Sequence, residues 1–127
     1  MTTKTLGLCK GRHDMPVEGY IFKNEIDPLD VDGLDLQAYY RLRDEFPDYE
    51  IITGSLYNSD DYGSVMQVRY RGQLNLYVTG LTVALVAVLN AAIRLGVNVI
   101  LYHYDKNSNS YYPQQVLNYI KCYGRRR

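Results

Sequence analysis

Apolar residues recur along this chain with two different periods. From Val65 to Arg71 the alternation is strict: Met66, Val68 and Tyr70 fall on one side, Val65, Gln67, Arg69 and Arg71 on the other. A period of two marks a half-buried strand. From Thr82 to Leu95 the apolar positions recur at three and four, and Gly96 follows. That spacing predicts a helix, stopped by a glycine that takes the left-handed conformation cheaply. Further strands are predicted over Thr5 to Lys10, Gly19 to Lys23, Glu50 to Leu56, Leu74 to Thr79 and Val97 to Tyr104, with Tyr111-Tyr112 resuming as a strand. A first helix, capped by Asp35 or Asp32, runs to about Phe46 with Leu36, Tyr39, Tyr40 and Leu42 at helical spacing. Pro47 ends it, because the residue before a proline is pushed out of the α region. After Pro113, helical spacing of Val116, Leu117 and Ile120 predicts a short last helix.

Strand 74–79, helix 82–95 and strand 97–104 form a right-handed βαβ crossover, which makes the two strands parallel. Arg71-Gly72-Gln73 reads as a tight turn, so strands 65–71 and 74–79 are expected to pair as a hairpin. Together these elements predict an α/β (α+β mixed) fold: a mixed twisted sheet with a C-terminal βαβ unit, an antiparallel hairpin and two to three helices packed on it. Its length, 127 residues, fits one domain over 1–127.

Composition narrows the partners. Lys plus Arg and Asp plus Glu both number 14, so the formal net charge is zero. Duplex nucleic acid selects a basic excess that neutralises phosphates, so a long polyanion is not the expected partner, while a small anion is compatible. Cys9 and Cys122 match no zinc spacing and read as free thiols, so neither a metal nor a cofactor is expected. No basic region followed by an apolar run suggests a secretory signal, and the longest apolar stretch, Leu81 to Leu89, is shorter than the ~20 residues that span a bilayer. A cytoplasmic protein is expected. The chain has 14 Tyr, 2 Phe and no Trp. Tyrosine offers a flat apolar face with a hydroxyl at its tip, suited to polar ligands that carry rings and to protein interfaces, as well as to half-buried strand positions.

Four segments could carry a site. Thr79-Gly80-Leu81-Thr82 joins a strand's carboxyl end to a helix N-terminus, where backbone N–H groups attract phosphate. It holds one glycine and no following lysine, so it is neither a Walker loop nor a dinucleotide fingerprint, and Thr82 can equally serve as an ordinary N-cap. Along the same helix Thr82, Val86, Asn90 and Arg94 form a stripe, and a buried Asn90 would need a partner: a second protomer, a ligand or backbone. Tyr102-His103-Tyr104-Asp105 ends the next strand. His103 could act as a base with Asp105 orienting it, though no nucleophile is evident, or it could simply hydrogen-bond in a pocket. In Gly11-Arg12-His13-Asp14, Arg12 could clamp a phosphate, while a metal held by His13 and His103 has no supporting spacing.

The run Leu76-Tyr77-Val78-Thr79-Gly80-Leu81-Thr82 through Val86, then Leu101-Tyr102-His103-Tyr104-Asp105 and Tyr111-Tyr112-Pro113-Gln114, resembles the anti-Thoeris proteins of the first kind, a family of small phage proteins. Gly11-Arg12-His13 with Pro16-Val17 is similar to that family's N-terminal half. The likeness covers about half the chain. It implies a sponge: a protein that binds the cyclic ADP-ribose isomer made by a bacterial TIR enzyme and withholds it from its effector without cleaving it. It further implies a homo-oligomer with nucleotide pockets between protomers, in which an aromatic residue, an asparagine and arginines serve the pocket, and it leaves another cyclic nucleotide open as a ligand, since some such proteins also bind cyclic oligonucleotides. Asn90 and Arg94, with Tyr77 or Tyr104 for stacking, are the positions here that could take those roles. Two other functions fit the residues: a ring nuclease that degrades cyclic oligoadenylate with His103 or His13, and a protein–protein inhibitor of a defence component that uses the tyrosine surface.

Overall fold

The computed structural model describes residues 2–10, 15–23, 25–55 and 65–119. In chain order the elements are β1 (Thr2–Cys9), β2 (Tyr20–Phe22), α1 (Val31–Glu45), β3 (Glu50–Ser55), β4 (Val65–Tyr70), β5 (Gly72–Tyr77), α2 (Thr82–Leu95), β6 (Val97–Asp105) and β7 (Ser110–Leu117). Five strands form one mixed sheet in the order β2-β1-β5-β6-β7, parallel except for the antiparallel β6–β7 pair. β3 and β4 form a separate antiparallel pair. The architecture is therefore α/β, with a mixed sheet, a parallel β5–α2–β6 unit, a hairpin and, among the described residues, the two helices α1 and α2.

Alternation along the strands explains which face is buried. Leu6 and Leu8 of β1, Leu74 and Leu76 of β5, and Val97, Val99 and Leu101 of β6 share one core with Leu34, Ala38 and Leu42 of α1 and Ala84, Ala87, Val88, Ala91 and Ala92 of α2. The small residues of α2 let that helix lie close to both the sheet and α1. Asp30 caps α1, its carboxylate accepting from the Gly33 N–H at 3.1 Å, so the helix starts before the expected Asp32 or Asp35. Leu42 is buried as expected, but Leu36 and Tyr40 are more than half exposed, and Leu34 and Ala38 complete the buried stripe. At the other end of the layer Gly96 closes α2 at φ 80°, ψ 46°, as its position predicts.

One expected pairing is corrected. β4 pairs with β3, not with the strand that follows it. Arg71-Gly72 is not a reversal: it carries the chain out of the hairpin into β5, which lies between β1 and β6. Gly72 has φ 141°, and a Cβ there would collide with the Thr2 carbonyl oxygen across the β1–β5 pair. The central place of β5 is set by Leu74 and Leu76, both fully buried, which a peripheral hairpin could not cover. The segment opened by Pro113 is not helical over its described strand positions: Ser110–Leu117 is a strand, and Ile120 lies outside the described residues. Pro113 is accommodated because β7 lies at the sheet edge, where a missing N–H breaks no ladder. Among the described residues, no helix is long and apolar enough to cross a membrane.

Candidate functional site

The strand order fixes where a ligand can sit. From β1 the chain passes to β2 on one side; from β5 it passes through α2 to β6 on the other. Connections that leave adjacent strands in opposite directions open a crevice at their carboxyl ends. A cleft of about 840 Å³ lies there. Its walls are Cys9 and Lys10 after β1, Val78 to Leu81 after β5, His103 and Tyr104 at the end of β6, and Tyr111 and Tyr112 at the start of β7, with Met15. The volume falls in the range of small-molecule sites, ~300–1,000 Å³.

Each wall offers different chemistry. The N-cap of α2 is Leu81, and no side chain caps the helix, so Thr82 does not play that part. Leu85 N–H donates to Leu81 C=O, and the N–H groups before it are those a helix leaves unpaired. They open beside Gly80, where an added Cβ would meet nothing within 4 Å. Lys10 is exposed at the rim, and no carboxylate lines the cleft among the described residues. This wall therefore favours an anion.

The tyrosine wall is connected beyond the cleft. Tyr104 and Tyr111 have ring centroids 5.3 Å apart, Tyr111 meets Tyr77 edge-on at 4.7 Å, and Tyr77 stacks on Tyr102 at 4.7 Å with 8° between planes. Burial, and then neighbouring tyrosines, push the Tyr77 and Tyr111 hydroxyls upward, so both remain protonated donors at neutral pH. The Tyr104 hydroxyl donates to Asn109 Oδ1 in the β6–β7 turn. These rings lie on the sheet face opposite the helices, together with Thr5, Gln73, Asn75 and Ile100. The strand positions of β1, β5, β6 and β7 that share this face include no charged residue.

His103 points to the other side. Its Nε2 donates to Gln114 Oε1 at 2.7 Å and its ring tilts against Tyr112 at 5.3 Å. Asp105 does not orient it: that carboxylate accepts from the Asn107 N–H at 3.2 Å and the Ser108 hydroxyl at 2.7 Å. Those turn bonds hold the Asp105 carboxyl below the usual range. Burial pushes the Cys9 thiol up, opposed in part by a hydrogen bond from Thr79. Among the described residues neither the Cys9 thiol nor the His103 imidazole is paired as a nucleophile with a base.

Of the residues singled out from sequence, Thr79, Gly80, His103 and Tyr104 meet in this cleft, and Tyr77 reaches it through Tyr111. Thr82 is exposed one residue beyond the cleft wall. Asn90 and Arg94 do not join them. Both are on the exposed stripe with Thr82 and Val86, so Asn90 needs no buried partner. Arg94 lies in the last turn, with its guanidinium 4.5 Å from the Tyr39 ring centre. Arg12 and His13 lie outside the described residues, as does Cys122. Cys9, Lys10, Tyr111 and Tyr112 were missed. Lys10 and Cys9 become neighbours of Gly80 only through the parallel β1–β5 pairing, which the sequence does not announce; a lysine directly after a strand was the available signal. No group of three or more His, Cys, Asp and Glu is placed to hold a metal among the described residues. Compared with protein-family models, with curated proteins and with solved structures, the chain matches none of them.

Proposed function

We propose that this chain binds a cyclic ADP-ribose isomer in the cleft and sequesters it uncleaved, in the cytoplasm of a bacterial host, as a phage protein that withholds an immune signal. One observation carries the ligand class: an anion-favouring wall and an aromatic wall line the same cleft. The α2 N-terminus and Lys10 suit a pyrophosphate; Tyr104 and Tyr111 suit an adenine face. The named isomer rests on the sequence resemblance. His103 is engaged with Gln114 and no carboxylate orients it among the described residues, which favours holding over hydrolysis.

The same reading includes a homo-oligomer. The uncharged, tyrosine-bearing sheet face suits a second protomer, since a two-fold contact sets like residues near like and is easiest where no charge meets itself. Tyr104 and Tyr111 belong to both that face and the cleft, so an oligomer built there would border the ligand. Tyr102→Glu is expected to dissociate the oligomer, read by sedimentation velocity.

The deciding experiment incubates the protein with cyclic ADP-ribose isomers, filters it, heats the retained fraction and follows the ligand by mass spectrometry. An isomer that leaves the filtrate and returns intact supports sequestration. Cleaved ligand makes the chain an enzyme, and His103→Ala then separates cleavage from binding. If no isomer is retained, the nucleotide reading falls and direct capture of a defence protein takes its place.

A further inference from the structure

At the opposite end of the molecule, arginines are assembled with no ion pair among the described residues. A groove of about 380 Å³ runs between Gln67, Val68 and Arg69 of β4 and Ile93, Arg94 and Gly96 at the end of α2, with Tyr119 beside them. It lies a full helix length from the cleft, about 20 Å for a helix of this size. Arg94 rests on the Tyr39 ring at 4.5 Å and Arg69 on the Tyr49 ring at 5.1 Å. Each ring is shared: Arg43 lies 5.8 Å from Tyr39, and Arg71 lies 5.2 Å from Tyr49. Like charges are thus drawn together on two tyrosines.

Among the described residues no carboxylate lies within ion-pair distance of Arg43, Arg69 or Arg94. The ion pairs there are Lys4–Glu45 and Arg41–Glu45. The carbonyls in the last turn of α2 are already taken. Ala92 C=O accepts from Gly96 N–H, Ile93 C=O from the Tyr119 hydroxyl at 2.7 Å, and Gly96 C=O from Arg71 N–H. Arg71 itself donates to the Phe46 carbonyl at 2.9 Å, which leaves Arg69 and Arg94 as the two guanidiniums facing the groove. A guanidinium stacked by its face keeps its edge N–H donors free, and a ring beneath it removes much of the entropy lost on binding.

We propose that Arg69 and Arg94 form a second binding site, separate from the cleft, for the phosphate group of a small ligand. Two forks converging on one groove match the oxygens of a phosphate, whether it belongs to a free nucleotide or to the backbone of a short single strand. The proposal does not depend on what the cleft binds.

The test is calorimetric titration of the full chain with pyrophosphate, AMP and a short oligothymidylate. Saturable binding is expected, weakened about tenfold by Arg69→Gln and again by Arg94→Gln, since each removes charge-assisted hydrogen bonds. Arg94→Lys should recover little, because a point charge replaces the fork. Because Lys10 also offers the cleft a phosphate contact, the titrations are repeated in Lys10→Ala, where a saturable component that Arg69→Gln still weakens is expected, and Arg69→Gln should leave retention of cyclic ADP-ribose isomers unchanged. Tighter binding of AMP than of the oligonucleotide assigns the phosphate to a free nucleotide; the reverse assigns it to a strand. Thermal melts check that the glutamine variants fold, which their exposed positions favour. No saturation by any of the three probes, or equal binding by wild type and the folded double glutamine variant, overturns the proposal.

Discussion

The two faces of the five-stranded sheet are made from the same strands by alternate residues, yet they hold different chemistry. Leu76 points to the helices and is fully buried; Tyr77, its neighbour, points to the other face and is half-buried. Toward the helices the sheet offers aliphatic side chains that pack without polar atoms. Away from them it offers hydroxyls, amides and stacked rings. The helix-covered face makes the fold stable, and the open face is free to carry recognition. A sheet with both faces covered by helices would require apolar residues in both registers. The period-two pattern of β5 is the sequence record of that division.

This division makes the mutational cost depend on register. Leu76→Ala should cost about 3 kcal/mol in urea denaturation, from lost burial and the cavity left behind. Tyr102→Ala, one strand over on the open face, should cost about 1–2 kcal/mol, the value of a half-buried stacked ring. Equal costs would mean that something covers the open face as fully as the helices cover the other.

Gly96→Ala probes the junction between α2 and the hairpin. Its φ of 80° disfavours a side chain, and a Cβ would press on the Arg69 carbonyl. A loss of about 1–3 kcal/mol is expected, with Arg69 displaced in the amide spectrum. Tyr111→Ala should act on the open face in the other sense: a small stability change, but about tenfold weaker retention of a ring-bearing nucleotide, since one stacked base is worth ~1–3 kcal/mol. Unchanged retention would move the base to another wall.

The smallest effect belongs to the β6–β7 turn. The Asp105 carboxyl is held below its ordinary range by Ser108 and Asn107. A carboxyl depressed in the folded state stabilises at pH values above its unfolded pKa, and that contribution is lost as pH falls through the lower folded value. Titration by NMR should therefore show the Asn107 and Ser108 signals shifting together only in acid, with no change near neutrality.

How much of this was legible depended on the range of the interaction. α2, its glycine stop and the two strands around it are local, and Thr82, Leu95 and Gly96 mark their limits by spacing alone. Thr79, Gly80, His103 and Tyr104, singled out beside them, line one cleft because they sit at the ends of those same local elements. The partner of β4 was not, because Arg71-Gly72 has the composition of a turn while the decisive contact, Gly72 against Thr2, spans most of the chain. Pro113 misled in the same way: its helix-start preference is local, and the edge position that permits a strand is not. Lys10 and Cys9 entered the cleft through the β1–β5 pairing, which no short window contains.

That pairing has a consequence for how the chain acquires its structure. Thr5 and Asn75 are hydrogen-bonded partners 70 residues apart, and β1 lies between β2 and β5 in the finished sheet. When the first strand leaves the ribosome it can meet β2 early, but its second edge has to wait until β5 has been made. Closing so long a loop before any reward slows collapse into the native order. The half-assembled chain therefore spends its most vulnerable interval with the middle of its sheet open, and a chaperone would find its target there.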